Sequence, residues 1–352
     1  MTYIAKPRVR HPGLETNALG LTRRDYEGSM STLCAGCGHD SITAALIEAF
    51  FELDVEPHRV AKLSGIGCSA KTPTYFLREA HGFNAVHGRM PSIATGVSAA
   101  HRGLTVVGVS GDGDSLSIGI GQLCHAIRRN VDMLYVLENN GVYGLTKGQF
   151  SASADVGSTS KRGEVNRQDP IDPVFLALSQ GATFVARSFS GDRAQLVPIL
   201  KAGLRHRGFA LVDIVSPCVT FNDHEGSTKS YRYTREHYDP IVDADFVPIA
   251  AEITANQDEA GGVRSVRMHD GGMVRFRRIP EDYDPTDRDA VYTYLAERRR
   301  AGEVATGLLF IDADAEEMHD TFGTVDEPLR ELPFEDLCPG REALDALQAR
   351  YR

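Results

Sequence analysis

No run of apolar residues in the sequence approaches the roughly 18 that a membrane-spanning helix needs, so a helical membrane protein is not expected. The N-terminal segment MTYIAKPRVRHPGLETN has no apolar core following its basic residues, which argues against a secretory signal. Long basic stretches are missing too. With 38 Lys and Arg against 48 Asp and Glu the formal net charge is −10, and a chain of that sign has no general attraction for nucleic acid. Cysteine is sparse: six residues in 352 do not suggest the disulfide scaffold of a small secreted protein. There is no internal repeat and no low-complexity tract. These absences point to a cytoplasmic globular protein. Its 42% apolar and 24% charged composition is ordinary for one, and its length falls between one large domain and two.

What is present is an alternation of apolar strands with helices. Helices are predicted at 40–51, 91–101, 117–129, 173–180 and 193–206, and strands at 60–65, 104–109, 133–137, 182–187 and 209–215. That order indicates an α/β fold with a doubly wound, mostly parallel sheet, in which ligands bind beyond the carboxyl ends of the strands. Residues 1–30 read as an N-terminal arm, 31–225 as the α/β domain, and 226–352 as a C-terminal extension that covers the core or a partner subunit. In the extension, 263–279 alternates around Asp270-Gly271-Gly272 as a hairpin would, and 287–300 reads as a helix whose ERRR end is a solvated face.

The segments that follow the strands carry the chemistry. Gly111-Asp112-Gly113-Asp114 comes directly after one strand and Asn139-Asn140 directly after the next. Glycines let backbone approach phosphate oxygens, while a carboxylate and an amide supply hard oxygen ligands. Mg2+ takes few protein ligands and completes its octahedron with phosphate and water, so a sparse set suits it. At this spacing the pattern looks like the diphosphate-binding motif of thiamine-diphosphate enzymes. Gly65-Ile66-Gly67-Cys68 and Ser216-Pro217-Cys218 also follow strands, so all four segments should meet along one sheet edge.

Cys34-Ala-Gly-Cys37 is a C-x2-C pair, and with Cys68 and Cys218 at the same edge it suggests a four-thiolate site. Spacing alone leaves zinc and an iron–sulfur cluster equally open, since both accept four cysteines. Cys124 reads as a core thiol, and Cys338 has no partner in view.

Taken together, CAGCGH at 34–39, GIGCS at 65–69, GDGD at 111–114 and YGLTKGQ at 143–149 resemble the β subunit of 2-oxoacid:ferredoxin oxidoreductases, most nearly the two-subunit 2-oxoglutarate type. The likeness covers roughly residues 20–235. It implies a thiamine-diphosphate-binding module of the diphosphate type, with a [4Fe-4S] cluster on Cys34, Cys37, Cys68 and Cys218. It further implies Mg2+ on Asp112, Asn140 and the backbone carbonyl of Val142. Ile66, Gly67, Cys68, Ser69, His87, Gly113, Asp114, Gly144 and Leu145 would line the cofactor. Asp114 could instead cap the following helix, and His87 could simply order its turn. Lys71, close after Cys68, would set a cation where a 2-oxo acid's carboxylate needs one, and Leu145 stands where side-chain selection could occur.

The activity implied is coenzyme A-dependent oxidative decarboxylation of a 2-oxo acid, 2-oxoglutarate by overall likeness, to succinyl-CoA and CO2, with electrons passing to ferredoxin. The glutamate that activates the thiamine ring is expected on a separate α subunit carrying the pyrimidine-binding domain, in an α2β2 assembly. The chain alone is then expected to turn over nothing. A non-oxidative thiamine decarboxylase or ligase would share the GDG and NN segments without needing four cysteines. A zinc-stabilised nucleotide-binding module would need the cysteines without the chemistry.

Overall fold

The computed structural model describes residues 11–160, 162–247, 264–277 and 283–351. Its central feature is a ten-stranded sheet. In chain order the strands are β1 (Val60–Ser64), β2 (His81–Asn84), β3 (Thr105–Gly111), β4 (Met133–Asn139), β5 (Phe184–Phe189), β6 (Phe209–Val215), β7 (Tyr238–Val247), β8 (Arg264–Arg267), β9 (Met273–Arg277) and β10 (Val304–Ile311). Their spatial order is β8-β9-β7-β10-β5-β6-β4-β3-β1-β2. From β5 to β2 every pairing is parallel. β4 and β6 are buried along their whole length, as central strands of a sheet covered on both faces must be.

Helices α1 (Gly38–Glu52) and α5 (Arg193–Arg205) pack together on one face. On the other, α2 (Met90–Ala100), α3 (Ile120–Arg128) and α4 (Pro173–Gln180) form a row that α6 (Arg288–Arg300) extends. Local signals fix several of these ends. The Asp172 carboxylate accepts the Val174 N–H at 2.9 Å and Pro173 occupies the first turn of α4, while Gly181 closes it at φ 89°. Asp287 caps α6 in the same way. Tyr135, Phe184 and Phe209 are fully buried between the layers, each worth roughly 1.5–3 kcal/mol of transfer energy.

The sheet and helices follow the predicted order, with β2 as an added edge strand and the following particulars. The helix expected at 117–129 starts only at Ile120, because Gly113–Ile118 forms a π turn closed by the Gly119 N–H on the Asp114 carbonyl at 2.8 Å. The expected hairpin is present as β8 and β9, although residues 263, 278 and 279 lie outside the described residues. The region after 225 does more than cover the core. β10 is a buried, largely apolar strand that adds antiparallel to β5, and β7 joins it, so the extension lengthens the sheet itself.

Of the N-terminal arm, residues 1–10 lie outside the described residues. The following stretch is anchored by buried Tyr26, whose hydroxyl donates to the Val55 carbonyl at 2.9 Å. Among the described residues no helix is long and apolar enough to cross a membrane.

Candidate active site

Four strand ends bring their loops together. One cavity beyond β1, β3 and β4 is lined by Ile66, Gly67, Cys68, Ser69, His87, Asp112, Gly113, Asp114, Asn140, Val142, Gly144 and Leu145. Cys34, Cys37 and Cys218 stand outside that wall, grouped with Cys68. Lys71 does not line the cavity either. It sits one 3-10 turn beyond Cys68, near enough for its charge to act on that thiol.

Asp112 is the centre of the polar wall. Its carboxylate is buried and accepts the Gly141 N–H at 3.0 Å, the Ser153 hydroxyl at 2.7 Å and the Ser151 hydroxyl, with the Asn140 N–H at 3.3 Å. Among the described residues no Lys, Arg or His pairs with it. A buried carboxylate without a countercharge is costly, and this one opens onto a cavity where a cation could supply the charge. The Asn140 side-chain oxygen accepts the Val142 N–H at 3.0 Å, which fixes the amide while leaving it a further lone pair. Asp112 and the Asn140 side-chain oxygen are therefore hard oxygen donors of the kind Mg2+ takes, and Val142 lines the same cavity beside them.

Asp114 does not cap its own helix. Its carboxylate turns back to accept the Gly88 N–H at 2.7 Å and the Ser110 hydroxyl at 2.6 Å, and it touches the His87 ring at Nδ1. His87 in turn lies edge-on to Tyr143. Gly113 has to be glycine here, since a Cβ would come within 2.5 Å of the Tyr143 ring. The loop after β4 is thereby laid flat against the turn after β3.

The sulfur side is equally close. A Cβ on Gly144 would lie 3.3 Å from Cys68 Sγ and 3.7 Å from Cys218 Sγ. Thr220 Oγ1 is 3.7 Å from Cys34 Sγ. None of the cysteines forms a disulfide. Burial pushes the Cys37 thiol up to about 12 and raises Cys68 and Cys218, and the neighbouring sulfurs add to the effect. Thiols that resist ionising beside one another ionise when metal cations replace their protons, and they fit a metal cluster better than a redox dithiol. Among the described residues no three His, Cys, Asp or Glu side chains converge as a single-ion site.

Residues 65–214 match the family described as thiamine pyrophosphate enzyme, C-terminal TPP binding domain. The chain is 42% identical over 210 residues to the 2-oxoacid:ferredoxin oxidoreductase subunit beta of Saccharolobus solfataricus. It is 43% identical over 217 residues to the 2-oxoglutarate oxidoreductase subunit KorB of Mycobacterium tuberculosis. Each alignment covers 59% of this chain, and they span 66% and 57% of the two relatives, just under two thirds of the first and less of the second. The solved 2-oxoglutarate:ferredoxin oxidoreductase from Magnetococcus marinus, with 2-oxoglutarate, coenzyme A and succinyl-CoA bound, superposes with a TM-score of 0.73. That match has 31% identity over 95% of this chain and 99% of that one. The chain belongs to the 2-oxoacid:ferredoxin oxidoreductase β subunits.

This β subunit thus carries a thiamine-diphosphate-binding domain, and its cavity holds residues that sequence reasoning passed over. Glu138, the penultimate residue of β4, is fully buried in the cavity wall and accepts the Thr72 hydroxyl at 3.0 and 3.1 Å. Burial raises its pKa well above the usual carboxylate range. His39 Nδ1 lies 3.6 Å from Glu138 and 2.7 Å from the Ser216 hydroxyl, and burial pushes its pKa down to about 4. These buried contacts tie the C-x2-C loop to the ends of β4 and β6, in keeping with an ordering role for His39. Ser151 and Ser153 were missed as well, because nothing in the sequence marks a serine beyond a short antiparallel pair (Val142–Tyr143 with Gln149–Phe150) as a partner of Asp112.

Proposed function

We propose that this chain is the β subunit of a coenzyme A-dependent 2-oxoacid:ferredoxin oxidoreductase acting on 2-oxoglutarate, with Mg2+ and a [4Fe-4S] cluster as its metals. The observation that carries the reading is that Asp112, with no Lys, Arg or His partner among the described residues, shares its cavity wall with Gly144, whose Cβ position lies against the Cys68 and Cys218 sulfurs. The preference for 2-oxoglutarate is supported by the names of the Mycobacterium tuberculosis relative and the Magnetococcus marinus enzyme.

When bound, thiamine diphosphate supplies the nucleophilic carbon and electron sink for decarboxylation, and the cluster supplies a one-electron acceptor beside it. The chain's own residues do the positioning. Asp112, Asn140 and the Val142 carbonyl hold Mg2+ and through it the diphosphate. Ile66, Gly67, Cys68, Ser69, His87, Gly113, Asp114, Gly144 and Leu145 shape the cavity around the cofactor. Cys34, Cys37, Cys68 and Cys218 ligate the cluster, so Cys68 touches both centres. Lys71 supplies positive charge on the substrate side, and Leu145 sets which side chain fits.

Ile66 and Leu145 line the cavity and are exposed at 38% and 51%, and Val86 and Ile118, beside His87 and Gly88, are exposed at 75% and 46%. An apolar rim of that kind wants covering, and an α subunit bearing the pyrimidine-binding half of the site is the occupant we propose, in an α2β2 assembly. Electrons then leave to ferredoxin. The test is reconstitution with the α subunit, followed by assay of acceptor reduction with 2-oxoglutarate and with pyruvate, each with coenzyme A. We expect turnover only in the complex and a higher kcat/KM for 2-oxoglutarate. Turnover by this chain alone would overturn the division of labour, and a preference for pyruvate would overturn the substrate.

A further inference from the structure

The two oxygens of Asp112 are not equivalent. Oδ2 takes the Gly141 N–H and the Ser151 and Ser153 hydroxyls, whereas Oδ1 takes only the long bond from Asn140. Oδ1 is therefore the oxygen left for a cation, and Oδ2 is the one the protein controls. Ser153 has one hydroxyl proton and two close acceptors, Asp112 Oδ2 at 2.7 Å and Asn139 Oδ1 at 2.9 Å, with Ser151 Oγ farther off at 3.2 Å. Asn139 offers its oxygen to Ser153 because its amide nitrogen donates to Asp213 Oδ1 at 3.0 Å. A carboxylate only accepts, so turning the amide over would set oxygen against oxygen. Asp213 is itself held by the Arg187 guanidinium, with Nε 2.8 Å from Oδ2, and Arg187 reaches on to Asp172. Asn139, Ser153 and Asp213 are all buried.

We infer that Asp213 is a positioning residue for the divalent cation, acting through Asn139 and Ser153 on Asp112; this rests on the Mg2+ assignment above. Without a cation the Ser153 hydroxyl donates to Asp112 and helps to compensate a buried charge. With the cation bound that charge is neutralised, and the hydroxyl rotates to Asn139. Oδ2 then loses a donor that competes with the metal for the carboxylate's electron density. The relay works only while Asp213 keeps the Asn139 oxygen turned toward Ser153.

Asp213→Asn reverses that orientation. Arg187 takes the new amide's oxygen, the new amide's nitrogen faces Asn139, and Asn139 turns its own nitrogen to Ser153. The hydroxyl then keeps Asp112 as its nearest acceptor, Ser151 Oγ being 3.2 Å away, and cation affinity falls by about tenfold, the worth of one buried hydrogen bond.

The experiment is a Mn2+ titration of the α–β complex, stripped of divalent cation and supplied with thiamine diphosphate, with free Mn2+ read by electron paramagnetic resonance. Wild type, Asp112→Ala, Asp213→Asn, Ser153→Ala and the Asp213→Asn/Ser153→Ala double variant are compared. The expected result is loss of the site in Asp112→Ala. Asp213→Asn should raise Kd about tenfold with Ser153 present and less than about twofold without it, since the effect passes through that hydroxyl.

If Asp213→Asn fails to assemble, Asn139→Ala carries the same prediction. It leaves the Arg187–Asp213 pair intact and enlarges an existing cavity on the far side of β4 and β6. Wild type that does not bind Mn2+, or Asp112→Ala that binds it unchanged, overturns the cation assignment and the relay with it. A sound site whose affinity shifts equally with and without Ser153, or does not shift, overturns the relay alone.

Discussion

The Tyr143 hydroxyl donates to the backbone carbonyl of Gly113 at 2.9 Å, joining the loop after β4 to the turn after β3 across the cofactor cavity. Tyr143→Phe removes that bond and keeps the ring that packs over Gly113. The expected cost is about 1 kcal/mol of stability, with a several-fold rise in the Kd for thiamine diphosphate read by titration of the complex. An unchanged Kd would mean that the two loops hold their places without the bond.

The thiol group gives a second prediction. Cys218→Ser should leave the sheet folded, as judged by circular dichroism, yet lower the iron content and abolish acceptor reduction. Gly144→Ala should act in the same direction more weakly, since its methyl would sit 3.3 Å from Cys68 Sγ. Full oxidative activity in Cys218→Ser would leave the four-cysteine assignment without support.

Much of this could be read from residues, and the reasons differ by region. Helix α4 is bounded by Asp172, Pro173 and Gly181, local signals that need no tertiary context. Strand β6 is a continuous apolar run and emerged with the predicted limits. The GDG and NN segments were legible because their spacing after strands is itself the signal, whereas the other cavity residues came from the family resemblance. Glu138 was not, since a carboxylate at a strand end ordinarily faces water, and only the fold puts it under Thr72 and His39. β7 was obscured by Pro240 and its aspartates. β10, although largely apolar, is interrupted by Thr306 and Gly307 and was lost in an acidic tail whose other residues do not alternate. The Ser153–Asn139–Asp213 connection depends on cross-strand register, which no local pattern encodes.

A third prediction concerns acid stability. His206 is buried with Nε2 2.8 Å from Thr183 Oγ1, and burial pushes its pKa down to about 3. The folded protein refuses a proton that the unfolded chain accepts near pH 6.5. Stability is therefore fully present above about pH 6.5 and falls as the pH drops from there toward about 3. For this one group the slope is about 1.4 kcal/mol per pH unit. His206→Gln, which can still meet Thr183, should remove one proton's worth of that slope. Guanidinium denaturation between about pH 5 and pH 6.5 reads it, and equal slopes in the two proteins would contradict the assignment.

The central claim is that this chain sets a four-cysteine electron acceptor beside a thiamine-diphosphate site. Its most direct test is iron and zinc analysis of the α–β complex purified without oxygen, together with an absorption spectrum before and after adding 2-oxoglutarate and coenzyme A. The account predicts a brown protein with about four irons per β chain whose visible absorption bleaches when both are added. A colourless protein with stoichiometric zinc would contradict it, leaving a thiamine-binding domain with no path for electrons.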